Sequence, residues 1–104
     1  MPLYMIERNF VEGIQPSAEA GGWVESGGKI HEFAGVKQIN AEVGVHWLFS
    51  FLSADKKKTY CLYEAESPEA IREAARRLNI PADVIIEVGE VPSDSPVTKW
   101  PVVR

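Results

Sequence analysis

The chain has 104 residues, 45% of them hydrophobic and 25% charged, with a formal net charge of −4 and a single cysteine. That length allows one domain with an adequate core, and no apolar run approaches the roughly 20 residues of a membrane-spanning helix. The negative balance without a long basic tract excludes a protein that binds nucleic acid by neutralising phosphates. The lone Cys61 cannot close an internal disulfide, so a soluble protein of a reducing cytoplasm is expected.

In chain order, residues 3–10 alternate between Tyr4, Ile6 and Arg8 on one side and Leu3, Met5 and Glu7 on the other, which predicts a first strand. Residues 11–28 hold Gly13, Pro16, Gly21, Gly22, Gly27 and Gly28, too much backbone entropy for an uninterrupted helix, and are expected as an expanded loop. The paired glycines lack the context of a phosphate-cradling loop and suggest a mobile flap near the open sheet face. Ile30, Phe33, Ala34, Val36 and Ile39 recur at roughly helical spacing, predicting a first helix over residues 29–43 with Gly44 just past its end.

Residues 45–53 and 59–65 flank a polar link of hairpin length and should pair antiparallel, with Lys56, Lys57 and Lys58 at a solvated tip. Ser67 and Pro68 then form a helix start, one as N-cap and the other at the first helical position, where its missing N–H is no loss. Ile71, Ala74, Ala75 and Leu78 make the apolar stripe of a second helix, with Glu69, Arg72, Glu73, Arg76 and Arg77 outward. Asn79 suits a left-handed cap and Pro81 blocks continuation, after which residues 84–91 read as a fourth strand. Residues 92–104 are expected as an extended tail, an arm that lays Trp100 on a neighbour or a disordered end.

Strand, helix, strand, strand, helix, strand is the ferredoxin-like, or split βαβ, pattern: an α+β fold whose four-stranded antiparallel sheet, in order 4-1-3-2, carries both helices on one face. The other face should be bare in a monomer, yet both alternating sets of the second strand are largely apolar, and such a strand is covered on both sides. If Tyr4, Ile6, Leu48, Leu52 and Leu62 meet the helices, the open face carries Leu3, Met5, Trp47, Phe49, Phe51, Cys61 and Tyr63. A patch of that size marks an interface or ligand groove, and a sheet-to-sheet homodimer with dimeric α+β barrel-type packing is the natural cover.

The strings E-R-N-F at residues 7–10, I-N-A-E-V-G-V-H-W-L-F-S-F-L-S-A-D at 39–55, K-T-Y-C-L-Y-E-A at 58–65, S-P-E-A-I-R-E-A-A at 67–75 and I-P-A-D-V-I-I-E-V at 80–88 resemble a family of small bacterial proteins. That family is catalogued as domain of unknown function 4242, and its characterised members are described as nickel-binding or nickel-responsive. The resemblance implies dimers of ferredoxin-like subunits, a cytoplasmic role and Ni²⁺ as the bound ion, with residues 11–38 an expansion of the usual first loop and helix.

Ligands are sought among Glu7, Cys61, His46 and Glu64, since thiolate with imidazole or carboxylate suits Ni²⁺, Zn²⁺ or Cu²⁺. Each has a plainer reading: a lone Cys61 as a small hydrophobe, Glu7 at a solvated rim, His46 and His31 in surface or capping roles without a second His at ligand spacing. Glu7 and Glu87 could instead converge with Cys61 and Tyr63 as a carboxylate pair in a partly apolar cavity. No nucleophile elbow or Ser, His and Asp constellation is present, so a non-enzymatic metal-binding protein is the first expectation. The second is a dimeric barrel that binds or transforms a small organic molecule in an aromatic cavity walled by Trp47, Phe49, Phe51 and Tyr63.

Overall fold

The computed structural model describes residues 1–94 together with Pro96 and Thr98. In chain order the elements are β1 (Leu3–Asn9), β2 (Ile14–Ser17), β3 (Gly22–Glu25), β4 (Ile30–Glu32), α1 (Phe33–Glu42), β5 (His46–Leu52), β6 (Lys58–Glu64), α2 (Pro68–Leu78) and β7 (Val84–Val88). Four strands make one antiparallel sheet in the order β5-β6-β1-β7, which is the expected 4-1-3-2 arrangement and an α+β, ferredoxin-like layout. The tail and the expected placement of Trp100 lie largely outside the described residues.

The start and stop of α2 follow from its sequence. Ser67 Oγ accepts from the Ala70 N–H at 3.4 Å, Pro68 opens the helix, and Asn79 takes the left-handed conformation at φ 54°, its N–H donating to the last carbonyls. Ile71, Ala74 and Ala75 are buried, while Glu73 pairs outward with Arg76 at 2.6 Å and Arg77 at 2.7 Å. Helix α1 is shorter than its spacing predicts. Residues 30–32, including His31, join a strand instead, because their backbone pairs with β3. Gly44, at φ 73°, does follow the helix end.

The larger departure is the segment expected as loop or mobile flap. Residues 14–32 form a second, three-stranded antiparallel sheet, β2-β3-β4. Its strands are three or four residues long, too short to leave a periodic signature. Gly22 permits the pairing of β3 with β4, since a Cβ there would stand 1.8 Å from the His31 carbonyl oxygen. The meander is moored to the main sheet's hairpin: the Phe10 and Ile14 N–H groups donate to the Lys57 and Lys56 carbonyls at 2.7 and 2.8 Å. The Lys29 ammonium also donates to the Asn79 carbonyl at the end of α2.

Residues opposite one another in an antiparallel ladder share a face, so the register assigns the two sides of the sheet. Tyr4 lies opposite Tyr63, Ile6 opposite Cys61 and Arg8 opposite Thr59, and all six are buried. With Val45, Ala65 and Ile71 the apolar members of this set form the core. Three expected placements are therefore corrected: Cys61 and Tyr63 face the helices, and Leu62 faces away. A period of two sorts residues into sets without saying which set of one strand joins which set of the next, and with both sets apolar the choice came out reversed on β6. Trp47 is corrected for another reason. Trp47 pairs with Tyr63 but Phe49 pairs with Leu62, so Leu48 is the extra residue of a β-bulge. The bulge turns Trp47 inward to the core while Phe49 and Phe51 stay on the open face.

Candidate functional site

The open face of the main sheet is built from the outward sets of all four strands. Met5 lies opposite Leu62 and Ile86, Phe49 opposite Leu62, and Phe51 opposite Tyr60. Phe49 and Phe51 stack edge to face with centroids 5.5 Å apart, yet they are 48% and 61% exposed, and Ile86 is 54% exposed. No element of the described residues covers this side.

At one end of that face β5 begins beside the end of β6, and register places His46 opposite Glu64. His46 Nδ1 stands 3.2 Å from Glu64 Oε1, with the imidazole largely exposed. These are the two expected ligands that the fold brings together. Glu7 is on the same face but opposite Tyr60, four residues along β6 from Glu64 and so about 13 Å away at the rise of an extended strand. Its carboxylate is 3.7 Å from the Lys58 ammonium. Cys61 is on the other face, buried, its thiol 3.6 Å from Thr59 Oγ1. Glu87, opposite Tyr4, also belongs to the helix side, so Glu7 and Glu87 do not converge. The aromatic set divides likewise: Trp47 and Tyr63 inside, Phe49 and Phe51 outside.

The donors available test whether a divalent ion fits. Among the described residues no three His, Cys, Asp or Glu side chains gather at metal-binding distance. His46 and Glu64 supply one imidazole nitrogen and one carboxylate, a borderline-soft pair suited to Ni²⁺ in type and short of it in number. Two donors from one copy of the chain fall short of the coordination such an ion takes.

The helix side holds chemistry that the sequence pattern concealed. The three-stranded sheet closes over the main sheet beside α1, leaving a cavity of about 260 Å³ lined by Arg8, Trp23, Phe33, Trp47, Cys61 and Tyr63 among others. A continuous aromatic series runs along it: His31 stacks on Trp23 at 4.9 Å, Trp23 meets Phe33 at 5.8 Å and Phe33 meets Trp47 at 5.7 Å. The Trp47 indole N–H donates to Ser50 Oγ at 2.8 Å. His31, expected in a surface or capping role on a helix, is a buried strand residue whose Nε2 lies 2.6 Å from Glu25 Oε2. Arg8 is buried too, donating to the Pro81 carbonyl at 2.5 Å and to the Tyr63 hydroxyl at 3.2 Å. Burial pushes the Tyr63 phenol above its ordinary pKa, and the neighbouring Arg8 charge opposes that rise. The signal for Arg8 was available: it continues the Tyr4 and Ile6 set, a cation on an inward stripe.

The model of the nickel-responsive protein family typified by SCO4226 matches residues 4–88. The chain belongs to that family. Among solved structures, the crystal structure of SCO4226 from Streptomyces coelicolor A3(2) is similar to it with a TM-score of 0.59 and 19% identity, covering 86% of this chain and 99% of that one. At that identity the likeness supports the ferredoxin-like fold and nothing finer. No curated protein matches the chain. No helix of the described residues is long and apolar enough to cross a membrane.

Proposed function

We propose that this chain is a nickel-binding, nickel-responsive protein of the cytoplasm that works as a homodimer, without enzymatic turnover. The observation that carries the reading is the His46–Glu64 pair, an imidazole and a carboxylate side by side at the end of an uncovered apolar face. Family membership supports it, since the family is described as nickel-responsive.

A second copy packed on the open face would bury Phe49, Phe51 and Ile86. By two-fold symmetry it could also bring a second imidazole and carboxylate to complete a four-donor set. Glu7 and Cys61 stand apart from this pair and are not assigned to it.

Calorimetric titration of the protein with Ni²⁺ tests the reading. Saturable binding at one ion per two chains is expected, weakened at least tenfold in His46→Ala and in Glu64→Gln. Unchanged heats in both variants would overturn the site, and no saturable heat in the parent would overturn the function. The alternative of an aromatic cavity between two copies does not gain support, because its four expected walls split across opposite faces of the sheet.

A further inference from the structure

The cavity between the two sheets has no part in the metal reading, and the one charged residue in its lining is a cation, Arg8. Arg8 is 3% exposed and lines the cavity. A guanidinium stays protonated at any pH the fold survives, so this is a permanently charged group withdrawn from water. Its partners are a backbone carbonyl, a phenol hydroxyl and the Tyr63 ring face at 5.8 Å, all uncharged. Among the described residues no carboxylate forms an ion pair with it, although five Lys or Arg side chains pair with carboxylates elsewhere. Two of its five N–H donors are used by protein acceptors.

A second, independent observation comes from Trp23. Trp23 lines the same cavity, and its indole N–H is buried without an acceptor among the described residues. Buried donors are almost always paired, and a native exception calls for a partner that has not been counted. Trp23 thus lacks an acceptor, and Arg8 has donors to spare and no carboxylate beside it among the described residues. The remaining walls, Phe33, Trp47 and Ile80 among them, offer an apolar and aromatic surface.

We propose that this cavity is a binding site for a small organic monocarboxylate with a single aromatic or apolar ring. Its carboxylate lies on the Arg8 fork and accepts from the Trp23 indole, and its ring lies along the Phe33 and Trp47 side chains. A planar carboxylate matches the planar, two-pronged guanidinium, and one negative charge balances the one cation present. A phosphate dianion would leave an excess charge against largely apolar walls. The volume is below the usual range for drug-sized ligands, which restricts the occupant to about one ring with a short acidic arm.

Isothermal titration with benzoate, phenylacetate and 3-phenylpropionate, each with EDTA present so that carboxylate bound to a metal cannot contribute, tests the site. At least one acid should bind saturably at one per chain, and its uncharged amide should bind at least tenfold more weakly. Arg8→Lys, which keeps the charge and loses the fork, should weaken binding about tenfold. Trp23→Phe, which keeps a ring and removes the N–H, should weaken it several-fold. Because Cys61 is the single thiol and lines the cavity, the bound acid should also slow its reaction with a disulfide reagent. Circular dichroism checks that both variants are folded, and Trp23→Phe leaves the buried cation untouched should Arg8→Lys fail to fold. Absence of saturable binding by all three acids, equal affinity for acid and amide, or parental affinity in Trp23→Phe would overturn the proposal. None of these results bears on Ni²⁺ at His46 and Glu64.

Discussion

The two faces of the main sheet are both apolar and are treated in opposite ways. On the helix side Ile6, Tyr63 and Ile71 are closed in by α2, and Arg8 and Trp47 by the three-stranded sheet and α1. On the open side Phe49 and Phe51 touch each other and little else, more than 40% exposed. A strand with two apolar sides needs two covers, and the described chain provides one. The difference teaches that the two faces are not equivalent: the inner face holds the fold together, and the outer face is left uncovered among the described residues.

The strongest way to break this division is at Trp47, the residue the bulge leaves on the covered face. Trp47→Ala removes its ring contact with Phe33 and its packing against the core. The expected cost is about 3–5 kcal/mol, the scale of truncating a large core aromatic, read as a fall in the urea midpoint. A truncation on each face sharpens the contrast. Ile6→Ala, at a fully buried position, should cost about 2–5 kcal/mol in the same assay. Phe51→Ala should shift the monomer's unfolding free energy by no more than about 0.5 kcal/mol while weakening self-association. Equal losses from both would erase the distinction between a covered and an uncovered face.

Smaller effects come from the helix that covers the inner face. Ser67→Ala removes the acceptor for the Ala70 N–H and should lower stability by about 1 kcal/mol in denaturant titration. On its outward side, hydrogen bonds from Arg76 and then Arg77 hold the Glu73 carboxyl down at about 2, from an ordinary 4.5. A folded pKa below the unfolded one means that the unfolded chain binds the proton first as pH falls. The contribution is thus complete above about 4.5 and disappears as pH drops toward 2. Since Glu73 is at the surface, the effect is modest and screened by salt. Thermal melts should show the parent above Glu73→Gln at pH 7, with the gap closing toward pH 2 and narrowing in 1 M salt.

Most of the main sheet and all of α2 were legible because their signals are local. The Ser67-Pro68 start, the stripe from Ile71 to Leu78, Asn79 as cap and the β5–β6 hairpin each depend on residues near one another in sequence. What was not legible depends on pairing between distant strands. The inward placement of Cys61 and Tyr63 is set by β1, more than fifty residues away, and Leu48 gives no local sign of being the bulged residue. The β2-β3-β4 meander escaped because glycine-rich strands of three or four residues resemble loop until their partners are known. Of the candidate site, His46 and Glu64 were found and do meet, whereas Glu7, Cys61 and Glu87 were grouped by faces that the register separates. Trp23 was passed over because it sat in that unread meander.

Sedimentation equilibrium of the parent and of Phe51→Glu, each with and without Ni²⁺, tests most directly whether the open face is served by a second copy. The account predicts a parent of twice the 11.6 kDa chain mass at micromolar concentration and a folded Phe51→Glu of single mass with weakened Ni²⁺ uptake. A parent that sediments as a monomer under both conditions would contradict it.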